Sequence, residues 1–390
     1  MIADHWLAAT LGALWVTLLV TVVLRFLDSK RLSAYTPVSR GDAPPLSVVI
    51  PARNESRNIE ACVRSVLTSD YPRLEVIVVD DHSTDGTGEI ARRLAAEDTR
   101  LRVVAAPDLP AGWFGKQWAC HTGARAASGT LLCFTDADTR HAPRLLSLSV
   151  GAMRQRGADL FTVAGHQQAL TFWEKVIQPF VFSILLSRYG GLEAMSRSSK
   201  PLDKIANGQF ILMSRGAYDA IGGHDAVKDH VAEDLRLAQL ATARGLQAHM
   251  LLARDELQTR MYTSLAEIRR GWGKNVYAAG RDTMPLNAVT GRIFPWIFPL
   301  PALMPVLPLL CLTLGLAGVW GPGALVFGAI AAPATLLFYA GVYGFSRLNP
   351  LWALLYPLAA VTFSWICAEA AWRGSKVEWK GRGYVSRRAT

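Results

Sequence analysis

The chain is expected to fold as a Rossmann-like mixed, largely parallel α/β sheet with helices on both faces, joined to transmembrane helices. Three observations lead there. Short Val-, Ile- and Leu-rich runs alternate with amphipathic helical stretches between residues 46 and 134, the pattern of a parallel sheet covered on both sides. Acid-bearing polar clusters follow those runs, at the strand ends where ligands of such sheets bind. Long charge-free apolar runs then lie outside this part, from Trp6 to Leu24, from Ile293 to Ser346 and, with no charge either, from Leu348 to Ala368. Each exceeds the roughly 18 residues at which a run is long enough to span a bilayer.

The first apolar run is preceded by Asp4 and by no Lys or Arg, and no convincing small-residue cleavage site follows it, so residues 1–30 are expected to be an uncleaved anchor. Arg25, Lys30, Arg31 and Arg40 follow it, and Arg281 and Arg292 stand before the second run. That positive-inside distribution predicts a cytoplasmic domain over 45–285 in a multi-pass protein of a bacterial-type inner membrane. Anionic lipid head groups, not nucleic acid, are the partner for the net charge of +10. The five cysteines have no C-x-x-C spacing, which argues against a zinc site and a disulfide framework. Residues 293–372 are expected to form two or three membrane helices. If all the C-terminal runs cross, the basic tail 373–390, with Arg373, Lys376, Lys380, Arg382, Arg387 and Arg388, ends outside, against the same charge rule. Pro295, Pro299, Pro301, Pro305 and Pro308 make the start of the second run the candidate for an interfacial or re-entrant segment.

Within the soluble part, Pro37 to Pro45 is a linker, and Leu46 to Ile50 a buried strand closed by Pro51-Ala52-Arg53-Asn54-Glu55. Ile59, Val63, Val66 and Leu67 fall at helical spacing, and Tyr71-Pro72 stops that helix. Leu74 to Val79 is a second strand, followed by Asp80-Asp81-His82-Ser83-Thr84-Asp85-Gly86-Thr87 and a helix to about Glu97. Leu101 to Ala105 is a third strand, and a helix from Gln117 to Ala127 leads into a fourth from Thr130. Glu55, Asp80 with Asp81, and Asp136 with Asp138 thus come to one rim of one sheet. In an extended chain residues two apart point the same way, so Asp136 and Asp138 are expected to face the sheet end together. Oxygen ligands there suit Mg2+ or Mn2+, which complete their shells with water and substrate phosphate. Each acid cluster has a plainer reading as a surface acid or a capping turn.

Ser47 to Glu55 (S-V-V-I-P-A-R-N-E), Val78 to Thr87 (V-V-D-D-H-S-T-D-G-T) and Asp136-Ala-Asp138, in this order, resemble the family 2 glycosyltransferases of the GT-A fold. The resemblance implies that Ala52, Glu55 and Asp81 bind the nucleoside, Asp136 the sugar-nucleotide, and Asp138 the metal. It also implies a carboxylate base opening a later helix. Glu233-Asp234 matches that element, and a carboxylate at a helix start is stabilised as the anion by unpaired amides, ready to accept a hydroxyl proton. The family's Q-x-x-R-W element is altered here to Glu267-Ile-Arg269-Arg270-Gly271-Trp272, which makes Arg270 and Trp272 the candidates for diphosphate and acceptor contacts. The same segment also fits a basic helix at the membrane surface with Trp as its interface anchor.

Gly112-Trp113-Phe114-Gly115-Lys116 resembles a stretch of bacterial transferases that glycosylate hopanoid-type or carotenoid lipids. Lys116, in a loop before a helix, could hold phosphate together with exposed amides, or could face the membrane surface. Val377-Glu378-Trp379-Lys380-Gly381-Arg382 with Tyr384 resembles the tail of carotenoid-acid glucosyltransferases, and a related tail occurs in ceramide glucosyltransferases. The family likeness implies an inverting hexosyltransferase, with a UDP-hexose such as UDP-glucose as donor and a carotenoid, hopanoid or other membrane lipid as acceptor. Phe172 to Leu186, strongly apolar, is expected to be either a core helix or a half-embedded helix bordering the acceptor entrance. A polyprenyl phosphate acceptor and a non-catalytic nucleotide-binding scaffold are the alternatives.

Overall fold

The computed structural model describes residues 2–284, 288–374 and 376–385. The β-branched runs form ten strands in the soluble part: β1 (Leu46–Ala52), β2 (Leu74–Asp80), β3 (Leu101–Ala105), β4 (Leu131–Phe134), β5 (Thr139–His141), β6 (Leu160–Ala164), β7 (His166–Gln167), β8 (Ile211–Ser214), β9 (Ala248–Leu252) and β10 (Leu257–Thr259). Two more, β11 (Lys376–Trp379) and β12 (Arg382–Val385), pair as a hairpin near the C-terminal end. Seven strands form the main sheet in the order β3-β2-β1-β4-β8-β6-β9, and β5-β10-β7 form a small second sheet. β3, β2, β1 and β4 run parallel, β8 is antiparallel to both its neighbours, and β6 with β9 is parallel again. The sheet is therefore mixed, as expected.

Successive side chains on a strand point to opposite faces, and here both faces are covered. Val48, Ile50, Val76, Val78 and Cys133 pack in one core, and Val49, Ile77, Val79, Leu132 and Phe134 in the other. That explains why these strands are continuously apolar instead of alternating. The helix Gly115–Ala126 approaches the second face so closely that a Cβ on Gly123 would lie 2.3 Å from Val49 Cγ1. Only glycine permits that contact.

Apolar helices gather at one side of this unit. The helix Phe172–Tyr189 packs with Leu265–Asp282 and the C-terminal helices in one buried cluster that includes Phe180, Trp272, Tyr343, Phe363 and Ile366. The stretch Phe172 to Leu186 is thus a helix covered by the C-terminal apolar segments, and its Val176 carbonyl accepts from the Tyr343 hydroxyl at 2.7 Å. Its polar end is fixed by a capping box between Thr171 and Glu174, with Arg260 2.9 Å from the Glu174 carboxylate.

Three described helices are long and apolar enough to cross a membrane: residues 4–27, 322–345 and 350–373. The first runs parallel to the second, with the Trp15 indole donating to Thr335 Oγ1 at 2.9 Å and Phe26 set edge-on to Phe345 at 4.5 Å. The proline-rich start of the C-terminal region is a broken pair, Val289–Ile297 and Leu300–Leu316, bent by 45°. Prolines remove helical hydrogen bonds, and the break falls where they cluster. The last helix lies along the soluble part: Trp352 meets Phe172, Phe363 meets Phe180 and Trp272, and Glu369 is 3.4 Å from Arg269. From its end the β11–β12 hairpin returns to the rim of the main sheet.

Candidate functional site

The rim at the carboxyl ends of β1, β2 and β4 carries the acids that the sequence singled out. Ala52 is 2% exposed, and its carbonyl accepts from the Asp81 amide at 2.8 Å, which ties the ends of β1 and β2 together. Asp80 turns back to accept from the Ser83 amide at 3.1 Å, while Asp81 is buried at 1% exposure and faces the cleft. Its carboxylate lies 2.7 Å from Arg382 and 3.8 Å from Arg53, with the His82 ring at 3.3 Å. Glu55, on the neighbouring loop, is 3.0 Å from Lys380.

Asp136 and Asp138 are not an extension of β4. That strand stops at Phe134, and Ala137-Asp138 form a tight turn into β5. The Thr139 amide and hydroxyl both bond the Asp136 carbonyl, at 3.2 and 2.8 Å, and the Thr135 hydroxyl donates to the Gln209 carbonyl at 2.7 Å. These local bonds override the strand and separate the two acids' roles in packing. Asp136 meets the Lys116 ammonium at 2.8 Å. Asp138 is turned inward, and its Oδ1 is enclosed with no hydrogen-bond partner among the described residues. Burial, reinforced by the nearby Asp136 and Glu55 charges, pushes the Asp138 pKa up to about 8.

Lys116 is not in a loop. It occupies the first turn of the helix Gly115–Ala126, because Phe114 takes the extended N-cap conformation and the Trp118 amide bonds its carbonyl at 2.9 Å. From there the ammonium reaches Asp136 and Glu233 Oε1, each at 2.8 Å. Burial works against its charge, yet those two carboxylates hold its pKa well above the ordinary lysine value. Burial alone would raise Glu233, but Lys116 brings it below the usual carboxylate range.

Asp234, next in the helix Glu233–Ala243, accepts from the Gly208 and Leu235 amides at 2.8 and 2.7 Å. Those amides favour the anion, as the helix start predicts. Burial and the adjacent Glu233 charge outweigh them, and the pKa is pushed up to about 6. Gly208 is the hinge of this arrangement: a Cβ there would come within 3.0 Å of Lys116 Nζ and 3.1 Å of Asp234 Oδ2. Lys116 therefore links Asp136 to Glu233, with Asp234 next in the helix, and Gly115, its neighbour in the chain, lies against Asp81.

Arg270 and Trp272 are placed differently from expectation. Arg270 is exposed, and Trp272 is 6% exposed inside the apolar cluster, where its indole donates to Gln178 Oε1 at 3.0 Å and its ring meets Phe182 and Phe363. The tryptophan packs the soluble part against the C-terminal helices. The cation of this helix that acts on the carboxylates is Lys274, one turn beyond Arg270. Burial lowers its pKa, while Glu233 and Asp136 act to restore it. Tyr262 was also missed; burial and then Asp138 and Asp136 raise its pKa. Lys274 had a faint signal in its i+4 spacing from Arg270, Tyr262 had none, and Arg382 and Lys380 stood in the tail motif without a role at the rim.

The cluster can bind a polyanion through Lys116 and Lys274, take a hard cation at Asp138 and Asp136, and accept a proton at Asp234. Among the described residues no three His, Cys, Asp or Glu side chains form a complete ligand cage. Asp138's partnerless oxygen beside Asp136 fits a divalent ion that draws its other ligands from water and phosphate.

The family model described as glycosyl transferase family 2 matches residues 47–222. A 4,4'-diaponeurosporenoate glycosyltransferase of Staphylococcus aureus strain N315 is 25% identical over 387 residues, covering 95% of this chain and 98% of the relative. The protein of the same name from Staphylococcus haemolyticus is 27% identical over 246 residues, covering 62% of this chain and 63% of that one. A mannosyltransferase from Pyrobaculum calidifontis, solved with GDP-Man and Mn2+, superposes with a TM-score of 0.51 at 19% identity, covering 92% of this chain and 95% of the other. The family-model match spans β1 to β8 with Glu55, Asp81, Lys116, Asp136 and Asp138, while Asp234 and the tail lie beyond it; residues 47–222 are thus similar to glycosyl transferase family 2 over a GT-A-like sheet, accompanied by apolar helices long enough to span a membrane.

Proposed function

We propose that the protein is a membrane-embedded inverting glycosyltransferase that moves a hexose, with UDP-glucose as the expected donor, to the carboxyl or hydroxyl group of a carotenoid-type lipid. The observation that carries this reading is the Lys116 bridge. One ammonium joins Asp136 on the donor rim to Glu233 beside Asp234, so a nucleotide sugar and a proton acceptor would meet in one cluster. The lipid acceptor is supported by the full-length likeness to diaponeurosporenoate glycosyltransferases and by the apolar helices packed beside the site.

Ala52, Glu55 and Asp81 would take the nucleoside, and Lys116 with Lys274 would neutralise the diphosphate. Asp138, with Asp136, would hold a divalent metal, Mg2+ or Mn2+, which as a Lewis acid stabilises charge on the departing diphosphate. The acceptor oxygen forms its bond to the anomeric carbon on the face opposite the diphosphate, and the bond from that carbon to the diphosphate breaks. A hydroxyl acceptor gives its proton to the Asp234 carboxylate. A carboxylic acid is already ionised near neutrality, so with that acceptor Asp234 orients the nucleophile and takes no proton. The hairpin lies on the sheet rim, and the positive-inside distribution supports a cytoplasmic side for both.

The test is transfer from labelled UDP-glucose to a carotenoid acid, by the purified protein in detergent with Mn2+ or Mg2+. Wild type is expected to yield a glucosyl lipid with inverted anomeric configuration. A polyprenyl-phosphate product labile to mild acid would redirect the acceptor. Full rates in both Asp138→Ala and Asp234→Asn, with folding verified, would sink the mechanism.

A further inference from the structure

The tail is a basic segment that follows the apolar C-terminal helices yet sits on the rim of the main sheet. β11 and β12 are joined by Lys380-Gly381, both with positive φ, at 48° and 77°. Two successive left-handed residues are the geometry of a tight type I′ hairpin, a defined turn that presents its flanking side chains in fixed directions.

Three of those side chains meet three different loops of the rim. Lys380 lies 3.0 Å from the Glu55 carboxylate and donates to the Asn54 carbonyl at 3.0 Å, on the loop after β1. Arg382 lies 2.7 Å from Asp81 Oδ2, at the end of β2. The Tyr384 hydroxyl accepts from the Gly115 amide at 3.3 Å, and its ring stands edge-on to Phe114 at 4.3 Å, at the start of the helix that carries Lys116. The contact is close on both sides, since a Cβ on Gly115 would lie 2.7 Å from Asp81 Oδ2 and 2.9 Å from Arg382 Nη1.

We propose that the β11–β12 hairpin is a wall of the nucleotide subsite and that Arg382 is a positioning residue, which fixes the Asp81 carboxylate for the nucleoside. This rests on the assignment of Asp81 and Glu55 to the nucleoside made above. A buried carboxylate without a cation is costly, and it would either take up a proton or turn away. Arg53 alone is too far to hold it, at 3.8 Å from Oδ2, although it bonds the Asp81 backbone carbonyl at 2.6 Å. Arg382 occupies Oδ2. Among the described residues, Oδ1 keeps only the longer 3.3 Å approach of the half-exposed His82 ring, a partner that a base N–H replaces at little cost. The conserved logic of a lid does not apply, because each contact is to a different loop and together they order the three loops relative to one another.

The experiment uses the full chain in detergent, with UDP and UDP-glucose as probes. Arg382→Ala and a chain ending at Gly374 are expected to raise the donor KM and weaken UDP binding by about tenfold or more, with kcat at saturating donor changed less than about threefold. Arg382→Lys is expected to fall between, since a point charge replaces a fork. Trypsin cleavage after Lys380 and Arg382 is expected to slow when UDP is bound. An unchanged or lowered donor KM in Arg382→Ala and the shortened chain, or faster tail cleavage with UDP, would overturn the proposal and leave a displaceable plug. Asp81→Asn separates the two levels. If it leaves UDP binding intact, the nucleoside assignment itself fails; if it weakens binding while the Arg382 variants do not, only the wall fails.

Discussion

The acids of the rim fall into two regions that differ in how their charge is met. At the ends of β1 and β2, Asp81 and Glu55 are each paired with a tail cation, at 2.7 and 3.0 Å. At the centre, Asp138 and Asp234 make no ion pair among the described residues, and their pKa values are pushed up to about 8 and about 6. Paired acids hold shape. Acids left short of cations carry raised pKa values, the condition under which a metal at Asp138 and a proton at Asp234 would be taken up under the proposed function.

That contrast can be broken most severely at Asp138. Asp138→Ala is expected to lower transfer by about a thousandfold or more, and chelation of wild type should produce a comparable loss that Mn2+ or Mg2+ reverses. Measured without metal, the same variant should not melt below wild type, because it removes a buried carboxyl that has no partner for one oxygen. A marked drop in melting temperature would make Asp138 a structural acid.

Asp234→Asn is next, with an expected loss of about a hundredfold to ten-thousandfold on a hydroxyl acceptor and a smaller one on a carboxyl acceptor. The wild-type rate on a hydroxyl acceptor should rise with pH through about 6, as Asp234 loses its proton. The stability sign runs the other way. A carboxyl whose folded pKa is raised favours the fold at low pH and loses that contribution as pH climbs through about 6, so Asp234→Asn should be neutral or stabilising above it. A rate flat from pH 5 to 8 with hydroxyl acceptors would remove Asp234 as the base.

Lys116→Met sharpens the comparison, since it strips the shared cation from Asp136 and Glu233. Donor affinity is expected to fall by about tenfold to a hundredfold, with donor KM as the readout and acceptor KM unmoved. Trp272→Ala should have the smallest effect on donor binding, no more than about twofold, yet cost about 3–5 kcal/mol of stability. A large rise in donor KM for folded Trp272→Ala would return the tryptophan to the site.

Much of the arrangement was legible in the chain. Strands of Val and Ile running continuously apolar, as in Leu74–Asp80, implied a sheet covered on both faces, and their acid-bearing ends marked the rim. The spacing of Asp136 and Asp138 gave their presence at the rim but misjudged their geometry. Thr135 and Thr139 offered the backbone a turn in place of a strand, a choice made by side-chain bonds that spacing does not encode. Arg270 and Trp272 show the same limit on a helix. Motif position points to a face of the helix, but how far along that face the carboxylates lie depends on where packing on Phe182, Gln178 and Phe363 sets the helix.

What the sequence determined by itself was local: the strand runs, the glycine-permitted turns, the acids at the strand ends, and the apolar lengths that suit a bilayer. These follow from short-range periodicity and composition, which need no knowledge of distant residues. What only the tertiary structure decided was which charges meet across the chain. Lys116 reaches Glu233 over 117 residues, and Arg382 reaches Asp81 over 301, pairings that depend on how sheet, helices and tail pack in three dimensions. Charge alone does not choose among so many partners; distance and burial do.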